Sequence, residues 1–141
     1  MRIYYLFFIN DYIYKQTKNN QLGLYKLFEN IYFMKDKDAK LGKKVLEKII
    51  TKINRDNLNR FIKNIHKNDM NYINFNYTHI LNDFFINENT KMAIYHTYIK
   101  IKTNVNFPMF LKDIKNYKNV FVCDFVNLDY FYLKDTFTTV K

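Results

Sequence analysis

Three histidines, one cysteine and thirteen carboxylates are the side chains of this sequence best suited to chemistry, and their spacing limits what they can do. A metal held on one helix wants paired ligands at i and i+4 with an acid between them. His66, His79 and His96 show no such pattern, so no metal is expected. Cys123 sits in the apolar run from Phe121 to Phe125. A reactive thiolate needs an exposed, electropositive setting, and Asp124 beside it works the other way. A buried, inert thiol is expected. A lone cysteine also excludes an internal disulfide and any cysteine-based zinc module, and it suits a reducing compartment. The carboxylates are scattered, and Asp124 and Asp129 flank what reads as a turn. Gly23 and Gly42 are the two glycines, too few for a phosphate-cradling loop. The chemistry-bearing residues therefore point away from an enzyme and imply no cofactor.

The formal net charge of +10 points to an acidic partner: nucleic acid, anionic lipid or an acidic protein face. Asn, Lys, Ile, Phe and Tyr, all encoded by A- and T-rich codons, make up 83 of 141 residues. Drift in base composition thus explains 20 Lys against 3 Arg as well as function does. Arginine is the residue that grips phosphates and guanine edges with a planar fork, and its scarcity weakens a nucleic-acid reading. Yet residues 35–67 carry 11 basic and 4 acidic side chains, a net of +7. Lys40, Lys44, Lys48 and Lys52 stand four apart there, either as a solvated face or as a ridge for an acidic partner. A small nucleic-acid-binding module using the Lys-rich helices 35–67 is the alternative reading of the chain. Tyr95, Tyr98, Lys100 and Lys102 interleave rings and ammonium groups as a single-strand stacking surface would. A strand with one core face is the plainer account of that segment.

The elements that must position these groups follow from periodicity. Hydrophobic residues form 48% of the chain, which has length enough for one domain over residues 1–141 with a true core. Arg2–Ile9 is apolar on both faces and reads as a covered central strand. Asn10 and Asp11 break it before it could span a membrane or end in a signal-cleavage site, so a cytoplasmic location is expected. Leu24, Leu27, Phe28 and Ile31 give a helix over Gln21–Tyr32, with Gly23 predicting a late start. Lys40–Ile53 reads as a second helix. Asn54 caps a third carrying Leu58, Phe61, Ile62 and Ile65. Met70–Asn89 is ambiguous, with alternation over residues 72–77 and a turn over Asn87–Thr90. Lys91–Thr103 alternates as a strand or bent hairpin, placing Ala93, Ile99 and Ile101 on one face and Met92, Ile94, Lys100 and Lys102 on the other. Asn106 and Pro108 open a fourth helix. Val120–Phe125 and Tyr130–Leu133 pair as strands, and the chain frays from about residue 134. The order gives an α+β domain: a small mixed or antiparallel sheet covered by about four helices.

Tyr12, Ile13 and Tyr14 follow the first strand where a surface connection should lie. Large apolar groups there mark either a partner surface or a staple onto the next helix.

The two ends of the chain resemble the sporulation inhibitor of replication (SirA) family. The N-terminal likeness is Tyr4-Tyr5 through Ile9, followed by Leu24-Tyr25-Lys26-Leu27-Phe28. The C-terminal likeness is Phe121-Val122-Cys123-Asp124-Phe125, followed by Tyr130, Tyr132 and Leu133. Glu47-Lys48 with Ile50 and Ile53 is a weaker internal match. The resemblance implies a non-enzymatic protein that binds domain I of the replication initiator DnaA and holds back initiation when a cell commits to sporulation. It implies a partner surface of Tyr12, Ile13, Tyr14, Thr17, Asn20 and Ile49. Ile13 stands where the family usually has Phe, Thr17 where it has Tyr, and Ile49 near a Gln position.

Overall fold

The computed structural model describes residues 1–138. The chain runs β1 (Arg2–Phe8), α1 (Asp11–Thr17), α2 (Gln21–Tyr32), a 3₁₀ turn (Asp36–Asp38), α3 (Ala39–Ile49), α4 (Arg55–His66), β2 (Tyr72–Phe75), β3 (Thr78–Asp83), β4 (Glu88–Ile94), β5 (Ile99–Thr103), α5 (Met109–Ile114), β6 (Val120–Asp124), β7 (Asp129–Tyr132) and α6 (Leu133–Thr138). The strands form one seven-stranded sheet in the order β2-β3-β4-β5-β1-β6-β7. Every pairing in it is antiparallel. The class is α+β, as expected; the sheet is wholly antiparallel, and six α-helices attend it among the described residues.

β1 is covered on both faces because successive side chains alternate between two cores. Tyr4 and Leu6 join Met92, Ile94, Ile99 and Ile101 beneath Leu58 and Ile62 of α4 and Phe110 and Ile114 of α5. Phe7 and Ile9 join Phe121, Cys123 and Tyr132 beneath Leu24, Tyr25 and Phe28 of α2 and Ile49 of α3. Phe7 and Phe28 stack with centroids 4.0 Å apart and planes 10° from parallel. Burying each such side chain stabilises the fold by about 1.5–3 kcal/mol.

Several boundaries differ from the periodicity, each for a local reason. α2 starts at Gln21 rather than late, because Asn20 Oδ1 accepts from the Gly23 N–H at 3.1 Å. A Cβ at Gly23 would lie 2.5 Å from Asn20 Nδ2, so the glycine makes room for the cap. α3 stops at Ile49, not Ile53: Ile50 turns extended and bridges Ile9, and Thr51 N–H donates to the Phe8 carbonyl at 2.7 Å. The chain then rounds the sheet, so Ile50 and Ile53 fall in opposite cores and Lys52 leaves the helical lysine row. Asn54 caps α4 as expected, accepting from Asn57 N–H at 3.1 Å.

The ambiguous stretch is the β2–β3 hairpin and the start of β4. Glu88, Asn89 and Thr90, expected in a turn, are strand residues. Asn76, Asn87 and Asn119 take positive φ of 53°, 51° and 59° at bends where a chain with two glycines has little else to use. α5 is preceded by Pro108 at its cap, not Asn106, whose side chain instead accepts from Arg2. α6 replaces the fraying expected over residues 134–138, and residues 139–141 lie outside the described residues.

Candidate functional site

The segment after β1 is a helix, α1, rather than a connection. Asn10 builds its start: Oδ1 accepts from Ile13 N–H at 2.8 Å while Nδ2 donates to the Lys48 carbonyl at 2.9 Å. Asp11 accepts from Lys118 Nζ at 3.0 Å and from Asn119 Nδ2 at 2.9 Å. Lys118 holds the Asp11 carboxyl below the usual carboxylate range. Ile13 and Tyr14 are half-buried in the core beneath α2. The Tyr14 ring meets Tyr132 edge-on at 5.1 Å. Tyr12 is left on the solvent side, 68% exposed, and Leu22 at the start of α2 is 53% exposed.

Five of the six expected partner residues therefore share one helix-turn-helix segment. Tyr12 is the exposed aromatic among the five. Ile13 and Tyr14 are the segment's anchors. Thr17 is half-buried and donates its hydroxyl to the Ile13 carbonyl at 2.7 Å, and Asn20 is exposed and spends its side chain on the α2 cap. Ile49 is the correction. It lies on the apolar stripe of α3 and is only 5% exposed, so its side chain is core and not surface. Its carbonyl accepts from Asn10 N–H at 3.0 Å, which brings the neighbouring exposed Lys48 beside α1.

A second surface was hidden from periodicity. Ile94 pairs directly with Ile99, so the hairpin turn over residues 95–98 resets the alternation. Met92 and Ile94 share a core face with Ile99 and Ile101, while Lys91 and Ala93 share the other face with Lys100 and Lys102. One alternation carried through residues 91–103 places Lys100 and Lys102 with Met92 and Ile94, the face opposite to the one they occupy. The signal that finds them is the register: Lys91 lies opposite Lys102, and Ala93 opposite Lys100. The Tyr95 and Tyr98 rings stack at 4.7 Å at the turn. Tyr98 then leads through Tyr5 to Tyr32 and Phe125, which line an apolar groove of about 200 Å³ with Phe28 and Leu46.

The titratable groups on the far side of the sheet are paired internally. His66 Nε2 lies 2.6 Å from Asp113 Oδ2, and His79 is held between Tyr72 and Asn59. Burial pushes the Cys123 thiol far up, leaving it protonated. Among the described residues, no group of three or more His, Cys, Asp and Glu could hold a metal ion, and no helix is long and apolar enough to cross a membrane.

No family model matches the chain, and no curated protein matches it either.

Proposed function

We propose that the chain is a non-enzymatic docking protein that holds back DNA replication during sporulation by binding domain I of the initiator DnaA in the cytoplasm. The observation that carries this reading is Tyr12: a large ring, 68% exposed, presented by a short helix tied down by Asn10 and Asp11. An exposed aromatic on a rigid mount loses little conformational freedom on binding, and such residues dominate docking energetics. The resemblance to the sporulation inhibitor of replication family supplies the partner. Its residues have clear packing roles here: Tyr4 in one core, Leu24 and Phe28 in the other, and Asp124 at the β6–β7 turn.

A surface of roughly 800 Å² per partner or less suffices for such a complex. Lys15 on α1, Lys18 at its C-cap and Lys48, whose carbonyl accepts from Asn10 at the start of α1, are all exposed. Rim lysines speed encounter with an acidic face more than they tighten the complex. Calorimetric titration against DnaA domain I tests the reading. Binding in the micromolar range is expected, and Tyr12→Glu should abolish it with the circular dichroism spectrum unchanged. Tyr12 is the cleaner site because a charge at half-buried Ile13 would disturb the core. Absence of heat at tens of micromolar, with both proteins folded, would overturn the proposal.

A further inference from the structure

We propose that the uncovered face of β2–β5 binds single-stranded nucleic acid, with Lys91, Lys100 and Lys102 on phosphates and Tyr95 stacking on a base. This surface is separate from the Tyr12 surface and does not depend on the reading given to it.

α1, α2 and α3 pack over β1, β6 and β7, and no described helix covers the same face of β2–β5. The register writes a row straight across five strands: Ile73, Ile80, Lys91, Lys102, Ile3. Lys91 and Lys102 are therefore directly opposite one another. Like charges in that position repel. Among the described residues, none of the three lysines forms an ion pair with a carboxylate. The acids of β3 and β4 cannot help, since alternation sends Asp83 and Glu88 to the opposite face, where Glu88 accepts from the Thr90 hydroxyl at 2.7 Å. The three lysines line a depression of about 230 Å³ together with Ala93 and Tyr95. The site thus holds three cations with no anion of its own.

The rings decide which polyanion fits. Tyr95 is braced by Tyr98 behind it at 4.7 Å and remains 42% exposed, so one side of the pair stays open. A nucleobase with a free π-face can stack there, and the phosphates on either side of it can meet the lysines. A duplex hides its base faces, and an acidic peptide would satisfy the lysines while leaving the rings unused. Lysine serves this role as well as arginine, because a strand held by its backbone and stacking requires no forked contact to base edges.

Fluorescence anisotropy of the full chain with labelled oligothymidylate and oligouridylate of about 15 nucleotides tests the proposal. Both are expected to bind at about 50 mM salt, with log affinity falling against log salt at a slope near −2 for three phosphates. Lys91→Glu places opposite charges across from each other, so it should raise the melting temperature while lowering affinity at least about tenfold. Tyr95→Ala should weaken binding by about fivefold or more with the salt slope unchanged. Tyr12→Glu should leave oligonucleotide affinity intact, which separates this face from the DnaA surface. The proposal is overturned by no binding of either single strand at that salt. It is equally overturned if a duplex of the same length or polyglutamate binds as tightly as the single strands, or if folded Lys91→Glu keeps wild-type affinity.

Discussion

Arg2 and Asp124 meet across 122 residues of chain, the guanidinium Nε donating to a carboxylate oxygen at 3.0 Å. The carboxylate is 1% exposed and also accepts from the Asn127 side chain at 2.7 Å and from the Val126 and Asn127 backbone N–H groups at 3.2 Å. One buried charge thus fastens the start of the first strand to the turn between the last two. Arg2 reaches on to Asp129 at 3.2 Å on the other side of that turn.

Asp124→Ala should therefore be costly. Removing the carboxylate leaves the Val126 and Asn127 N–H groups without their acceptor, at about 1–3 kcal/mol for a buried unsatisfied group, while Arg2 keeps Asp129 and Asn106. Burial alone would raise the Asp124 pKa, but the hydrogen bonds from Asn127 and Arg2 outweigh it and hold the carboxyl below the usual range. A depressed folded pKa gives stability that is present above the unfolded value, about 3.9, and lost as pH falls through the folded one. Urea midpoints between about pH 6 and pH 2 should fall at the acid end for the wild type and more shallowly for Asp124→Asn. Equal acid sensitivity in both proteins would contradict this.

How much of this was legible beforehand depended on whether the deciding contact was local. The Asn54 cap, the α4 stripe and the two-faced β1 are written within a few residues of sequence, and all were readable. The end of α3 was not, because a bridge from Ile50 to Ile9 stops it some forty residues away in the chain. The site divides the same way. For Tyr12, Ile13 and Tyr14 the sequence leaves surface and staple open. Only α1 divides them, Tyr12 outward and the other two against the core, whereas the burial of Ile49 is readable from its place on the apolar stripe of α3. The lysine face required knowing that Ile94 pairs with Ile99, since a hairpin turn placed elsewhere sends Lys100 to the other side of the sheet.

The buried histidines give a second pH response. His79 is held neutral, its pKa lowered to about 4 by burial, then by the charges of His66 and Lys63. It sits between the Tyr72 hydroxyl and Asn59 Oδ1, so its neutral ring has both nitrogens satisfied. In the unfolded chain it takes up a proton near pH 6.5. Stability should therefore decline as pH falls from about 6.5 towards 4. His66 acts in the opposite sense: burial resists its charge, but Asp113 and Asp69 overcome that and raise its pKa. Its contribution is complete below about 6.5 and fades as pH rises through the raised value. His79→Gln should lower stability by about 1–2 kcal/mol and flatten the decline between pH 6.5 and 4. An unchanged slope in chemical denaturation across that range would show that His79 does not carry it.

Among the described residues, Leu128 marks the one bend where a branched side chain occupies the left-handed region, with φ of 55°. The other positive-φ positions outside glycine are Asn76, Asn87 and Asn119, a residue type that tolerates this conformation. For leucine the crowding of Cβ against the following carbonyl costs about 1–2 kcal/mol. Nothing in packing offsets this, because the side chain is 68% exposed. The conformation is imposed by the turn, where Asp124 holds residues 126 and 127 through their N–H groups. Leu128→Asn should keep those bonds and relieve the strain, raising stability by about 1 kcal/mol and the melting temperature by a few degrees. Leu128→Gly should gain less, because glycine loses more freedom on folding. The ranking Asn above Gly above Leu is read directly from thermal melts, and a wild type more stable than both variants would mean that the turn relaxes around leucine rather than straining it.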